Sequence, residues 1–108
     1  MRQVIVIADD FTGACDTALQ FVRAGLRAEV RTIPPGASGI ERDADVPVLV
    51  FDTETRGLPA RDAADRVRNL CRRIRDVTPA LVYKKIDSTL RGNVGPELRA
   101  ALEALDAP

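Results

Sequence analysis

Two runs in this chain, Val4-Ile5-Val6-Ile7 and Val48-Leu49-Val50-Phe51, hold no polar side chain over four consecutive residues. A strand with one wet face alternates apolar and polar residues, so an unbroken apolar run marks a strand covered on both sides. Both runs end abruptly at acids, the first at Asp9-Asp10 after Ala8 and the second at Asp52. Between them lies a segment of helical period. Phe11, Ala14, Cys15, Ala18, Leu19 and Val22 recur at three- and four-residue spacing over 12–24, with Thr12 as the expected N-cap and Gly25 as the stop.

The rest repeats the alternation. Residues 28–32 read as a weaker strand, and Pro34-Pro35-Gly36-Ala37-Ser38-Gly39 breaks regular structure. A second helix opens near Pro59, with an apolar stripe of Ala63, Val67, Leu70, Cys71, Ile74 and Val77 and an Arg-rich solvated face, and Thr78-Pro79 ends it. Ala80-Leu81-Val82-Tyr83 reads as a fourth strand. A third helix opens near Pro96 on a face of Leu98, Ala101, Leu102 and Leu105. Strands that alternate with helices give a parallel sheet with right-handed crossovers. The expected fold class is therefore α/β: a Rossmann-like three-layer arrangement of about four strands, with helices on both faces. Ligands of such sheets sit beyond the carboxyl ends of the strands, where the strand order reverses.

Composition narrows the function. With 16 Lys and Arg against 16 Asp and Glu, no net field draws the chain to nucleic acid or to a membrane surface. Trp is absent and aromatics are 4% of residues, too few for a base-stacking platform. The apolar runs are too short to span a bilayer and no secretory leader is recognisable, so a cytoplasmic location is expected. With no His and only Cys15 and Cys71, both on helix faces, a metal site is not expected and the thiols read as reduced core residues.

The polar residues that follow the strands carry the chemistry. Asp9 and Asp10 leave the first strand in opposite directions if the pleat continues. One can face the cleft and accept hydrogen bonds from ligand hydroxyls, while the other bonds the loop or the helix start. The helix N-terminus at Thr12-Gly13 favours an anion. The plainer reading is that the two acids only order the turn. Asp52-Thr53-Glu54-Thr55-Arg56 adds a guanidinium able to clamp a carboxylate, unless Arg56 merely pairs with Glu54. The densest segment is Lys84-Lys85-Ile86-Asp87-Ser88-Thr89-Leu90-Arg91-Gly92-Asn93. Its two lysines should point to opposite faces of the sheet, Asp87, Ser88 and Thr89 offer acceptors and hydroxyls, and Gly92 permits close backbone approach. Together the loops describe a polar site for a small, hydroxylated, anionic molecule.

Three segments, Ile7–Ala18 (IADDFTGACDTA), Asp52–Arg56 (DTETR) and Lys84–Leu98 (KKIDSTLRGNVGPEL), make the chain resemble the four-carbon acid sugar kinase family. The resemblance implies an ATP-dependent kinase that phosphorylates threonate, erythronate or 3-oxo-tetronate. It places residues 1–108 in the first part of the N-terminal, sugar-acid-binding domain. ATP with Mg²⁺ would be bound mainly by a C-terminal domain absent from this chain, and no GxxxxGK[ST] loop occurs here. On that resemblance Asp9, Asp10, Arg56, Lys84, Asp87, Ser88, Arg91 and Gly92 line the substrate pocket. The fragment alone would not catalyse transfer, its catalytic residues stay unassigned, and a homodimer is left open.

Two other readings fit parts of the pattern. A response-regulator-like receiver domain also carries acids after its first strand, a phosphoacceptor after a later one, here Asp52, and a lysine after another. It does not need the Asp87–Asn93 polar run. A non-catalytic small-anion binding module differs from the kinase reading only in what accompanies the domain.

Overall fold

The computed structural model describes residues 3–33 and 46–107. Four strands, β1 (Val4–Ala8), β2 (Ala28–Thr32), β3 (Val48–Asp52) and β4 (Leu81–Lys84), form one all-parallel sheet in the order β2-β3-β1-β4. Three helices connect or follow them: α1 (Phe11–Arg23), α2 (Ala60–Asp76) and α3 (Val94–Ala104). The break expected at 34–39 lies outside the described residues.

The strand pleat splits the core in two. Ile5, Ile7, Leu49 and Phe51 pack against Val67, Leu70, Cys71 and Ile74 of α2 and Ala100, Ala101 and Ala104 of α3. Val6, Ala8, Val48 and Val50 face the other way, against Ala14 and Ala18 of α1. The apolar runs of β1 and β3 are thus covered on both sides, which is the condition that excludes polar residues from them. Cys71 is buried and Cys15 half-buried, and both are free thiols. Among the described residues, no helix is long and apolar enough to cross a membrane.

Local details depart from the sequence pattern. The N-cap of α1 is Asp10, whose Oδ1 accepts from the Gly13 N–H at 2.9 Å, and Thr12 lies inside the helix. A carboxylate satisfies the orphan N–H as well as a hydroxyl does, and Asp10 comes first in the chain. The stripe on α1 is narrower than its periodicity suggests. Phe11, Leu19 and Val22 are exposed, and buried Thr17 joins Ala14 and Ala18 on the inner line. Small residues there bring the helix close to the sheet, so the larger ones at the stripe's edges stay outside. Helix α3 starts at Val94, two residues before Pro96, and Leu102 is exposed. Its buried line is Glu97, Ala100, Ala101 and Ala104.

Candidate functional site

β1 sends its chain to α1 on one face. Its two neighbours, β3 and β4, send theirs to α2 and α3 on the opposite face. Crevices therefore open on both sides of the carboxyl end of β1, where this class of sheet places ligands. Backbone hydrogen bonds carry the ladder past the strand ends. Thr53 N–H donates to Ala8 O at 2.9 Å, and Thr55 and Arg56 N–H both donate to Asp9 O, at 3.0 and 3.2 Å. Lys85 N–H donates to Ile7 O at 2.8 Å. Three loops distant in sequence are thus fastened to one rim.

Arg56 is the centre of that rim. Its Nε and Nη2 donate to Asp9 Oδ2 and Oδ1 at 3.3 and 3.0 Å, a two-pronged pairing. The same Nη2 lies 3.2 Å from Asp10 Oδ1 and 3.6 Å from Asp87 Oδ1. Asp9 and Asp10 do not diverge as continued pleating would require, because the chain turns into α1 at Asp10. The Glu54–Arg56 pairing is not formed. Instead Glu54 adopts a positive φ of 51° and its N–H donates to Asp52 Oδ1 at 2.9 Å, which turns the loop so that Arg56 reaches inward.

The 84–93 loop closes over this cluster. Arg91 pairs with Asp87 through Nε and Nη2, each at 3.0 Å. The Asp87 carboxylate also accepts from the Thr89 N–H and hydroxyl. The Arg91 bonds, then those from Thr89, hold the Asp87 carboxyl well below the usual carboxylate range. Gly92 has φ +89°, and a Cβ on it would stand 2.5 Å from Asp9 Oδ2, so only glycine lets the loop approach the acid this closely. Ser88, Thr89 and Leu90 are exposed at the loop's tip.

The two lysines separate as the pleat requires. Lys85 lies on the α1 side, where its Cγ comes within 3.8 Å of the Cβ position of Gly13. It also lines a groove of about 320 Å³ with Asp16, Thr17, Gln20, Phe21 and Tyr83. Lys84 lies on the other side, half-buried, with Nζ donating to Lys85 O at 3.2 Å and standing 3.2 Å from Glu97 Oε1 of α3. Of the eight expected site residues, the structure gathers Asp9, Asp10, Arg56, Asp87, Arg91 and Gly92. It leaves Ser88 at the tip and commits Lys84 to Glu97. Glu97, Thr53 and Thr55 are buried polar groups bonded beneath the rim, and Glu97 escaped the sequence reading. The available signal was its spacing, since 97 falls in line with 100, 101 and 104 on the inward face of α3.

Asp52 is fully buried on the α1 side, and its Oδ2 has no hydrogen-bond partner among the described residues. Burial pushes its carboxyl up to about 6, against the lowering by the Glu54 N–H. A side chain with no exposure is not placed to receive a phosphoryl group, which removes the structural basis of the receiver reading. A larger depression, about 600 Å³ and lined by Val22, Gly25, Leu26 and Ala28, lies at the opposite end of the sheet, away from these charges.

Known proteins resemble this chain along nearly its whole length. Over 103 residues the chain is 48% identical to a D-threonate kinase of Salmonella typhimurium, covering 94% of this chain and 23% of that protein. It is 36% identical to a D-erythronate kinase of Heliobacterium modesticaldum, covering 97% and 24%. It is 34% identical to a 3-oxo-tetronate kinase of Escherichia coli, covering 100% and 28%. The chain therefore spans about a quarter of the length of these relatives. A crystal structure of a domain of unknown function from Bordetella bronchiseptica, a domain-swapped dimer with bound citrate, superposes with a TM-score of 0.80 at 40% identity. That match covers 94% of this chain and 25% of that one. The model of the sugar-binding N-terminal domain matches residues 4–108, and the chain belongs to that family.

Proposed function

We propose that this domain holds the acceptor of an ATP-dependent kinase acting on a four-carbon sugar acid of the threonate, erythronate or 3-oxo-tetronate type. The observation that carries the reading is the Arg56 cluster at the carboxyl ends of β1, β3 and β4. There Arg56 pairs with Asp9, Asp10 and Asp87 at 3.0, 3.2 and 3.6 Å, and Arg91 pairs with Asp87 at 3.0 Å, so three carboxylates and two guanidinium groups form one chain of ion pairs. Relatives covering nearly all of this chain are named for such kinases. Asp9 and Asp10 offer acceptors to substrate hydroxyls. The contacts of Arg56 use Nε and Nη2, so Nη1 is the edge offered to the ligand. Arg91, with its side chain 67% exposed, and Lys85 supply positive charge for the acid's carboxylate. Ser88 and Gly92 complete the wall, and Lys84 serves it from below.

This chain's own residues do not fit an ATP–Mg²⁺ site. Asp9, Asp10 and Asp87 pair with arginines, and no glycine-rich phosphate loop is present. The nucleotide and its metal belong to a separate C-terminal domain, with 1–108 forming the first part of the substrate domain. A domain of this kind performs the positioning half of phosphoryl transfer: it fixes the hydroxyl that attacks and offsets the acid's negative charge. A cytoplasmic location suits an enzyme that draws on ATP and carries two free thiols. A homodimer is part of the proposal, supported by the dimeric Bordetella neighbour.

The test is ADP release by the complete protein with D-threonate, D-erythronate and 3-oxo-tetronate in turn. Acid-dependent ADP with at least one of them is expected, and none above background would refute the reading. Asp10→Asn keeps the cap of α1, since Asn caps as well as Asp, yet removes the charge. It should lose activity with the fold intact, as should Arg91→Ala.

A further inference from the structure

Beneath the rim runs a buried polar chain. Lys84 Nζ lies 3.2 Å from Glu97 Oε1, and Thr55 Oγ1 donates to Glu97 Oε2 at 2.9 Å. Thr53 Oγ1 stands 2.7 Å from Thr55 Oγ1 and 3.1 Å from Ala8 O. Glu97 is 1% exposed, and Thr53 and Thr55 are 0%. The protons can be followed. The single hydroxyl hydrogen of Thr55 goes to Glu97, so the hydrogen of Thr53 goes to Thr55 or Ala8. Glu97 thereby ties two elements to α3: Oε2 accepts a hydrogen bond from the loop after β3, while Oε1, which accepts no hydrogen bond among the described residues, holds β4 through the ion pair with Lys84 alone.

Burying an ion pair is a poor route to stability, because apolar replacements of similar volume are often neutral or better. Its geometry suggests another use. Thr55 immediately precedes Arg56 and is held at three atoms. Its hydroxyl is bound to Glu97, its N–H to Asp9 O, and its carbonyl to Asn93 Nδ2 at 3.3 Å. Arg56, in turn, gathers Asp9, Asp10 and Asp87. We propose that Glu97 is a positioning residue for the sugar-acid site: anchored by Lys84, it holds Thr55 and so sets where Arg56 and Asp9 stand on the rim. This inference rests on the sugar-acid reading for its ligand, though not for its geometry.

The experiment uses the complete protein with three changes: Thr55→Val, Thr55→Ser, and the pair Lys84→Met with Glu97→Met. Thr55→Val and the double variant should raise the KM for the sugar acid on the order of tenfold, because the acceptor site loses its fixed geometry. The KM for ATP should not move, and Thr55→Ser, which keeps the hydroxyl, should behave as the unaltered protein. A purely structural role would lower the active fraction, and hence kcat, with both KM values unchanged, and that result would overturn the proposal. So would a double variant with an unaltered KM. If the unaltered protein phosphorylates none of the acids, the functional reading fails on its own. The Nε–H resonance of Arg56 then decides the positioning role: a shift in Thr55→Val that is absent in Thr55→Ser upholds it, and no shift overturns it.

Discussion

Replacing Gly92 by alanine separates two costs that usually arrive together. Gly25 and Gly92 have nearly the same backbone, with φ of +91° and +89°. A methyl group at residue 25 would meet nothing within 4 Å. Gly25→Ala therefore measures the left-handed backbone alone, about 1–2 kcal/mol. At residue 92 the same methyl would lie 2.5 Å from Asp9 Oδ2 and 3.3 Å from Arg56 Cγ. The carboxylate must retreat by roughly an ångström to reach ordinary contact. Its oxygen is already on Arg56 Nε at 3.3 Å, and the Asp9 side chain is only 6% exposed, so retreat gives up a charge-assisted bond with little water to replace it. Such a bond contributes about 1.5–3 kcal/mol. Gly92→Ala should therefore destabilise the chain by about 2.5–5 kcal/mol, some 1.5–3 kcal/mol more than Gly25→Ala. Urea unfolding of the two variants side by side provides the difference. Two values within about 0.5 kcal/mol of each other would show that the loop does not press on Asp9, and would refute the close approach of the third loop to Arg56.

Two further outcomes follow from buried groups. Asp52 titrates near 6 when folded against 3.8 ordinarily, so between those values the folded chain binds more protons than the unfolded one. Its penalty is absent below that window and complete above it, and stability from this residue falls as pH rises through it. Asp52→Asn should flatten the slope of urea midpoints between pH 4 and pH 6, and an unchanged slope would contradict the burial argument. Cys71 is pushed up to about 12 by burial, so it should resist a thiol reagent at pH 8 until the protein unfolds, leaving half-buried Cys15 as the reactive thiol. Labelling of both thiols at equal rates in the native state would refute that.

Much of the architecture was legible because it rests on local pattern. The unbroken apolar runs of β1 and β3 announced strands covered on both faces, and the helical stripe of α2 was read residue by residue. The helix starts were less legible. Asp10 caps α1 in place of Thr12 because a capping oxygen is chosen by where the chain turns, and nearby residues of similar propensity compete for that place. The exposed Phe11, Leu19 and Val22 show a further limit. Periodicity marks a face, but how much of that face is buried depends on what packs against it.

The site divides along the same line. Sequence alone determined that polar loops follow the first, third and fourth strands and that a parallel sheet carries them to one rim, because strand direction and side-chain alternation are properties of the local chain. Only the tertiary structure decided the partners. Arg56 was read as a clamp for a ligand carboxylate, and it stands among Asp9, Asp10 and Asp87, which come from two other loops. Lys84 is expected in the pocket wall, and its ammonium pairs with Glu97, a residue with no mark in the sequence beyond its spacing. Which charges meet depends on strand register, on which face each crossover takes, and on whether a glycine lets one loop close over another. Those are relations between segments dozens of residues apart, and no local window contains them.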